Sequence, residues 1–255
     1  MKATVHIPFS QHVPDHRLVL SMPHDPPRTE PPAADWWERR AAILREVTLP
    51  SLARQTHADV DVAGSFDAAN WHDSTPVRST LFDAGARCFF GPPRERFAER
   101  YAAHDWVFLA HLDSDDAYAP EALARMLESG PAWGRIVVLM RGHALDTESG
   151  VAYEYGHEWK CPPFFGLWAP GDVLADPGAW TAYLAEAGSP ASHVRLGSCP
   201  GAVLIHDPGM YLVLIHGTNT LTSHAHRGTQ VYLGRELDAV ETADLVARYG
   251  MEGRL

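Results

Sequence analysis

The run Trp106-Val107-Phe108-Leu109-Ala110, followed at once by His111-Leu112-Asp113-Ser114-Asp115-Asp116, constrains the fold of this chain more than any other stretch. Consecutive apolar residues with no polar alternation require a strand covered on both faces, the condition of a central strand in a parallel sheet. Asp113, Ser114, Asp115 and Asp116 cannot continue such a strand, so they fall at its carboxyl end, where open α/β sheets collect their ligands. Downstream, Pro120 suits the first turn of a helix whose Leu123, Met126 and Leu127 form one apolar stripe ending near Gly130. Strand, acidic loop and helix are expected in that order.

The same pattern recurs along the chain. Thr4 to Phe9, Val60 to Phe66, Arg87 to Phe90, Ile136 to Met140, Val203 to Ile205 and Tyr211 to Ile215 read as strands, and Arg94 to Ala103 as a helix. From Asp35, an N-cap by residue type, Trp37, Ala41, Leu44 and Val47 recur at helical spacing until Pro50 forces a break or kink; Leu49-Pro50-Ser51-Leu52 starts a second short turn. The proline-rich stretch from Pro14 to Pro32 reads as a loop. Alternating strands and helices predict an α/β fold, with a mostly parallel central sheet flanked by helices and all 255 residues in a single domain.

Composition removes several function classes. The formal net charge of -11, from 21 basic against 32 acidic residues, opposes an electrostatic grip on nucleic acid or anionic lipid. Cys88, Cys161 and Cys199 are odd in number and lack Cys-x-x-Cys spacing, so neither a disulfide framework nor a zinc ribbon is expected. The first residues lack the apolar core of a signal peptide, and no stretch approaches the roughly 20 apolar residues of a membrane span. These features point to the cytoplasm.

Three carboxylates crowded into one loop would repel one another without a cation. Hard oxygen ligands suit Mg²⁺ or Mn²⁺, held by one or two carboxylates plus substrate phosphates, as is common at nucleotide sites. The competing reading is that Asp-Ser-Asp-Asp merely caps the following helix. Most of the fifteen histidines are scattered through polar stretches; His216 differs, because the apolar run Tyr211 to Ile215 delivers it into Gly217-Thr218-Asn219. A strand there, added to the same sheet, would bring His216 to the rim where Asp113 and Asp115 emerge.

Three short segments in this order resemble the GT-A glycosyltransferases, and among them the rhamnosyltransferase-like group. Thr48-Leu49-Pro50-Ser51-Leu52-Ala53-Arg54-Gln55-Thr56 is similar to their first-helix segment, Leu112-Asp113-Ser114-Asp115-Asp116-Ala117 to their Asp-x-Asp region, and His216-Gly217-Thr218-Asn219 to a late motif. The resemblance spans residues about 1 to 220. It implies a GT-A-like fold, with a nucleotide-diphosphate-sugar donor bound by about residues 1–150 and a saccharide or other hydroxyl acceptor by about residues 151–255. It further implies that Asp113 contacts the nucleotide ribose or the metal, Asp115 is the principal metal ligand, and Asp116 is a third member of the site. Asp67, after the second strand, would contact the nucleoside. His216 would complete the metal site or touch the diphosphate.

An inverting transferase also needs a carboxylate to deprotonate the acceptor. Glu158, Asp172 and Asp207 are the candidates, Glu158 being favoured because it precedes Cys161-Pro162-Pro163-Phe164-Phe165-Gly166-Leu167-Trp168. That segment suits either a sugar-packing surface or the core. Two other functions compete with a hexosyl- or rhamnosyltransferase: a carbohydrate-binding or structural GT-A-like component without turnover, and a nucleotidyltransferase. The last is disfavoured by the lack of a Gly-x-x-x-x-Gly-Lys loop.

Overall fold

A computed structural model describes residues 2–8, 35–57, 59–66, 71–90, 101–156, 164–186, 199–216 and 233–253. Among the described residues, twelve strands form two sheets. The first contains β1 (Lys2–Pro8), β2 (Val60–Phe66), β3 (Arg87–Phe90), β4 (Trp106–His111), β6 (Ile136–Leu139), β9 (Phe165–Pro170) and β10 (Val203–Ile205), in the spatial order β10-β6-β9-β4-β1-β2-β3. β4 is the middle strand, as its unbroken apolar run requires. Its side chains alternate between two cores: Phe108 and Ala110 face one, Val107 and Leu109 the other, all fully buried.

The β1–β2, β2–β3, β1–β4 and β6–β10 pairings are parallel, but β9 runs antiparallel between β4 and β6. The sheet is therefore mixed, not purely parallel. Gly166, in the middle of β9, faces Ala110 across the ladder and lies under the Phe108 ring, where an added methyl group would overlap that ring. Phe108 is wedged against Trp168, with ring centroids 5.0 Å apart, so it cannot yield freely. Gly166→Ala is expected to cost about 1–3 kcal/mol as an overpacking change; a thermal midpoint equal to the parent's would contradict this packing.

The second sheet contains β5 (Asp116–Tyr118), β7 (Arg141–Asp146), β8 (Ala152–Gly156), β11 (Tyr211–Ile215) and β12 (Leu233–Glu236), in the order β12-β8-β7-β11-β5. One apolar core joins it to the first sheet, since Phe108 and Val137 belong to the same cluster as Leu212 and Leu214. Helices Trp36–Ile43, Leu49–Ala53, Thr75–Asp83, Ala122–Leu127, Gly171–Ala175, Pro177–Glu186 and Ala239–Tyr249 accompany these sheets. None of the described helices is long and apolar enough to cross a membrane.

Pro50 does not break the first helix. Residues Leu44–Thr48 widen into a π segment, with the Leu49 N–H donating to the Leu44 carbonyl, and the α-helix resumes at Leu49 with proline in its first turn. Asp35 caps nothing by its side chain; its carboxylate instead pairs with Arg39 one turn on. The helix expected at Arg94 to Ala103 falls largely outside the described residues.

Candidate functional site

The acidic loop is held by its own tyrosine and by the segment ending the first helix. Beyond β4 the chain turns, with the Asp116 N–H donating to the Asp113 carbonyl at 3.3 Å, while the Tyr118 hydroxyl donates back to the His111 carbonyl. Thr48 Oγ1 donates to the Ser114 carbonyl at 3.1 Å, Ser51 Oγ accepts the Tyr118 N–H at 3.3 Å, and the Thr56 N–H donates to the Pro120 carbonyl at 2.8 Å. Gln55 bridges most closely: its amide donates to the Ala119 carbonyl at 2.8 Å and accepts the Leu123 N–H at 3.1 Å. That N–H is an orphan donor in the first turn of helix Ala122–Leu127, which has no side-chain cap of its own, so Gln55 caps it from another element. Thr48 to Thr56 and Leu112 to Ala117, separate in sequence, are thus two parts of one assembly.

The π segment also sets the charges. From Arg40 to Thr48, eight residues at 3.6 per turn overshoot two full turns by about 80°; the wider π turn absorbs this excess. Arg40 and Thr48 then face the loop together. Arg40 Nη1 lies 2.5 Å from Asp115 Oδ2, its guanidinium is 4.7 Å from the centre of the Trp36 ring, and its Nε has no described partner although buried. His216 Nε2 reaches the same Asp115 oxygen at 3.1 Å. Burial by itself would push the Asp115 carboxyl upward, but the Arg40 guanidinium and the His216 hydrogen bond outweigh it and hold the group far below the usual carboxylate range.

Its neighbours differ. Asp116 is buried and accepts the Leu214 N–H at 3.3 Å; burial first, then the Asp115 and Asp113 charges, raise its carboxyl well above the ordinary value. The ionised form of Asp116, which alone could accept a proton, is therefore disfavoured. Asp113 alone reaches solvent: its side chain is 40 % exposed against 13 % for Asp115, and it contacts His111 Nε2 at 3.1 Å. His111 is buried and stacked on Phe165, with centroids 4.9 Å apart.

His216 reaches the loop by a route different from the expected one. β11 belongs to the second sheet, not the first: it pairs antiparallel with β5, Val213 opposite Asp116, and parallel with β7. The acidic loop's own last residues form β5, and this three-residue strand brings β11 alongside. The expected strand was present, but strand pairing is a choice among partners that apolar content does not make.

Among the other expected site residues, Asp67 and Glu158 lie outside the described residues. Asp172 follows β9, whose Pro170 faces Trp106 at the start of β4, so it stands at the edge opposite Asp113. Asp207 follows β10 and is paired with Arg125 at 2.5 Å. Asp172 is therefore not placed to serve the rim at Asp113, whereas β10 runs the same way as β4, so Asp207 lies on the same edge, three strands away. Phe164, Phe165, Leu167 and Trp168 are all buried, and Phe164 stacks on Tyr211 at 3.8 Å, so they form core, not a sugar-packing surface. Arg40 and His111 were not anticipated. A cationic residue on the face of the first helix that carries Thr48, Ser51 and Gln55 was the available signal, hidden by the π segment's change of period.

Among the described residues no group of three or more His, Cys, Asp or Glu side chains is arranged to hold an ion. Asp115 already faces two basic groups, and Asp116 is held toward neutrality. The open Asp113 carboxylate fits Mg²⁺ or Mn²⁺ as one hard oxygen ligand, with the others from phosphates and water.

No protein-family profile and no curated protein matches this chain. Among solved structures, it is similar to residues 1–349 of S. aureus TarS, determined in complex with UDP, at 12% identity and a TM-score of 0.41. A second structure of the same TarS segment gives 12% identity and a TM-score of 0.40. Each comparison covers 84% of this chain and 60% of the TarS chain, so this chain spans less than two thirds of that length.

Proposed function

We propose that the protein is a glycosyltransferase that takes a sugar from a nucleotide-diphosphate donor. The observation that carries this reading is the clamped acidic loop at the carboxyl end of the central strand, presenting Asp113 to solvent at the rim where α/β sheets bind nucleotides. β1, β2 and β4 run parallel, so the end of β2, which leads into Asp67, shares that rim. Asp67 would contact the nucleoside and Asp113 the ribose or a divalent ion. Such an ion, when bound, would neutralise charge on the departing diphosphate. The protein's part is to keep Asp113 fixed and to hold its neighbouring carboxylates in a buried ion pair, for Asp115, and under burial that favours the protonated form, for Asp116. Glu158 remains the proposed base for the acceptor hydroxyl, and residues about 151–255 the proposed acceptor side. A rhamnosyl donor is the specific form of the proposal suggested by the three matched segments.

Calorimetry and donor hydrolysis with a panel of nucleotide sugars, with Mn²⁺ or with chelator, test this. The parent protein should bind at least one donor, and Asp113→Ala should weaken it by about tenfold or more, the loss of a charge-assisted contact, without lowering the thermal midpoint. Binding without turnover to any acceptor would favour the carbohydrate-binding alternative. Absence of binding across the panel would refute the transferase reading.

A further inference from the structure

We propose that Asp115 is a charge anchor and not a ligand of the donor's cation: the Arg40 guanidinium takes the place beside its carboxylate that a divalent ion would need. The Arg40–Asp115–His216 cluster then fixes the end of β11 against the first helix, and Asp113 is left as the carboxylate through which the loop meets a cation or a ribose. The anchor stands on contacts within the chain; the assignment of Asp113 rests on the donor-binding reading above.

Three observations carry the inference. Arg40 and His216 converge on one oxygen, Asp115 Oδ2, at 2.5 and 3.1 Å. A divalent ion brought to that oxygen would stand against a guanidinium that cannot be deprotonated, so like charges would meet in a poorly solvated place. Second, all three side chains are largely enclosed, with relative exposures of 6%, 13% and 9% for Arg40, Asp115 and His216. The Arg40 guanidinium also lies over the Trp36 ring, 4.7 Å from its centre. Third, the helix carries a π segment that turns Arg40 onto the same face as Thr48, and both bind successive residues of the loop, Asp115 and Ser114. Helix irregularity, cation and carboxylate belong to one device. Arg40 and Asp115 are accordingly positioning residues.

The test uses MnCl₂ and UDP as probes on the full chain, with thermal midpoints and electron paramagnetic resonance of free Mn²⁺ as readouts. Asp115→Asn should lower the midpoint yet keep Mn²⁺–UDP affinity within about threefold of the parent per folded molecule, whereas Asp113→Asn should lose about tenfold or more at an unchanged midpoint. Arg40→Met leaves a buried carboxylate without its main partner and should be strongly destabilised; the Arg40→Met/Asp115→Asn double variant should lose less than the two single losses added, because each removes the same contact. If Arg40→Met does not fold, the neutral but polar Arg40→Gln paired with Asp115→Asn forms the same cycle.

A second readout separates anchoring from ordinary packing. Millimolar Mn²⁺ should raise the midpoint of Arg40→Met, or of Arg40→Gln, more than that of the parent, because a cation can then enter beside Asp115. The inference is overturned if Asp115→Asn abolishes Mn²⁺ binding at an unchanged midpoint, if the two losses simply add, or if Mn²⁺ stabilises the parent through Asp115. Should the parent bind no nucleoside diphosphate, the donor reading and the assignment of Asp113 fail, while the cycle and Mn²⁺ rescue still decide the anchor.

Discussion

Replacing Gln55 with leucine is expected to lower stability by about 3–5 kcal/mol, because several buried polar groups lose their partner at once. The amide donates to the Ser51 and Ala119 carbonyls at 3.0 and 2.8 Å and accepts the Leu123 N–H at 3.1 Å, all within the core. The Ala119 carbonyl keeps a second bond, from the Ala122 N–H at 3.0 Å, so the larger penalty falls on Leu123 and on the uncapped helix behind it. Gln55→Glu distinguishes hydrogen bonding from volume. It preserves shape, but at neutral pH it turns an oxygen toward two carbonyl oxygens. Its folded state therefore favours the protonated acid, so its stability should be greatest below the unfolded value near 4.3 and fall as the pH rises. Urea unfolding at pH 4.5 and 7.5 reads both effects; a glutamate variant as stable as the parent at pH 7.5 would contradict the described bonding.

The second large effect is a stabilisation. Asp116→Asn keeps an oxygen for the Leu214 N–H and removes a carboxyl whose ionisation is opposed by burial and by two neighbouring aspartates. The sign follows from linkage. A carboxyl raised on folding contributes stability that is fully present below its unfolded value near 3.9 and is lost as the pH rises toward the folded value. Asparagine carries no such dependence. The variant's advantage should be small at pH 4 and grow toward neutrality at up to about 1.4 kcal/mol per pH unit. Taking the difference between variant and parent cancels titrations common to both. An advantage that is constant with pH, or a variant less stable than the parent at pH 7, would show that Asp116 is ionised in the fold and would restore it as a proton acceptor.

These forecasts depend on contacts of very different legibility. Helix Ala239–Tyr249 announces itself locally: Asp238 accepts the Val240 and Glu241 N–H groups, Glu241 returns the bond to the Asp238 N–H, and Gly250 closes the helix at φ 69. An Asp-x-x-Glu start and a glycine end are sequence signals, since each is satisfied within a single turn. β9 is not legible in this way. Its prolines and aromatics suit a surface or the core alike, and only the pairing with β4 and the buried rings around Gly166 set it as a strand running against its neighbours.

The sequence by itself determined the central strand, the acidic loop at its carboxyl end and the helical segment that grips the loop. An apolar run without alternation demands burial on both faces, wherever the strand's neighbours come from. The acidic residues must likewise leave such a strand at its end. Folding in three dimensions joins β11 to β5 and β7 in a second sheet, stands Arg40 against Asp115, and gives three aspartates in four positions three different environments. Strand partners are chosen by backbone ladders between distant segments, and the state of a carboxyl is set by what surrounds it. Asp113, Asp115 and Asp116 are one residue type in the chain, and become a solvent-facing carboxylate, a buried ion-paired carboxylate and a buried carboxyl biased toward its protonated form only when solvent, Arg40 and Leu214 are brought to them.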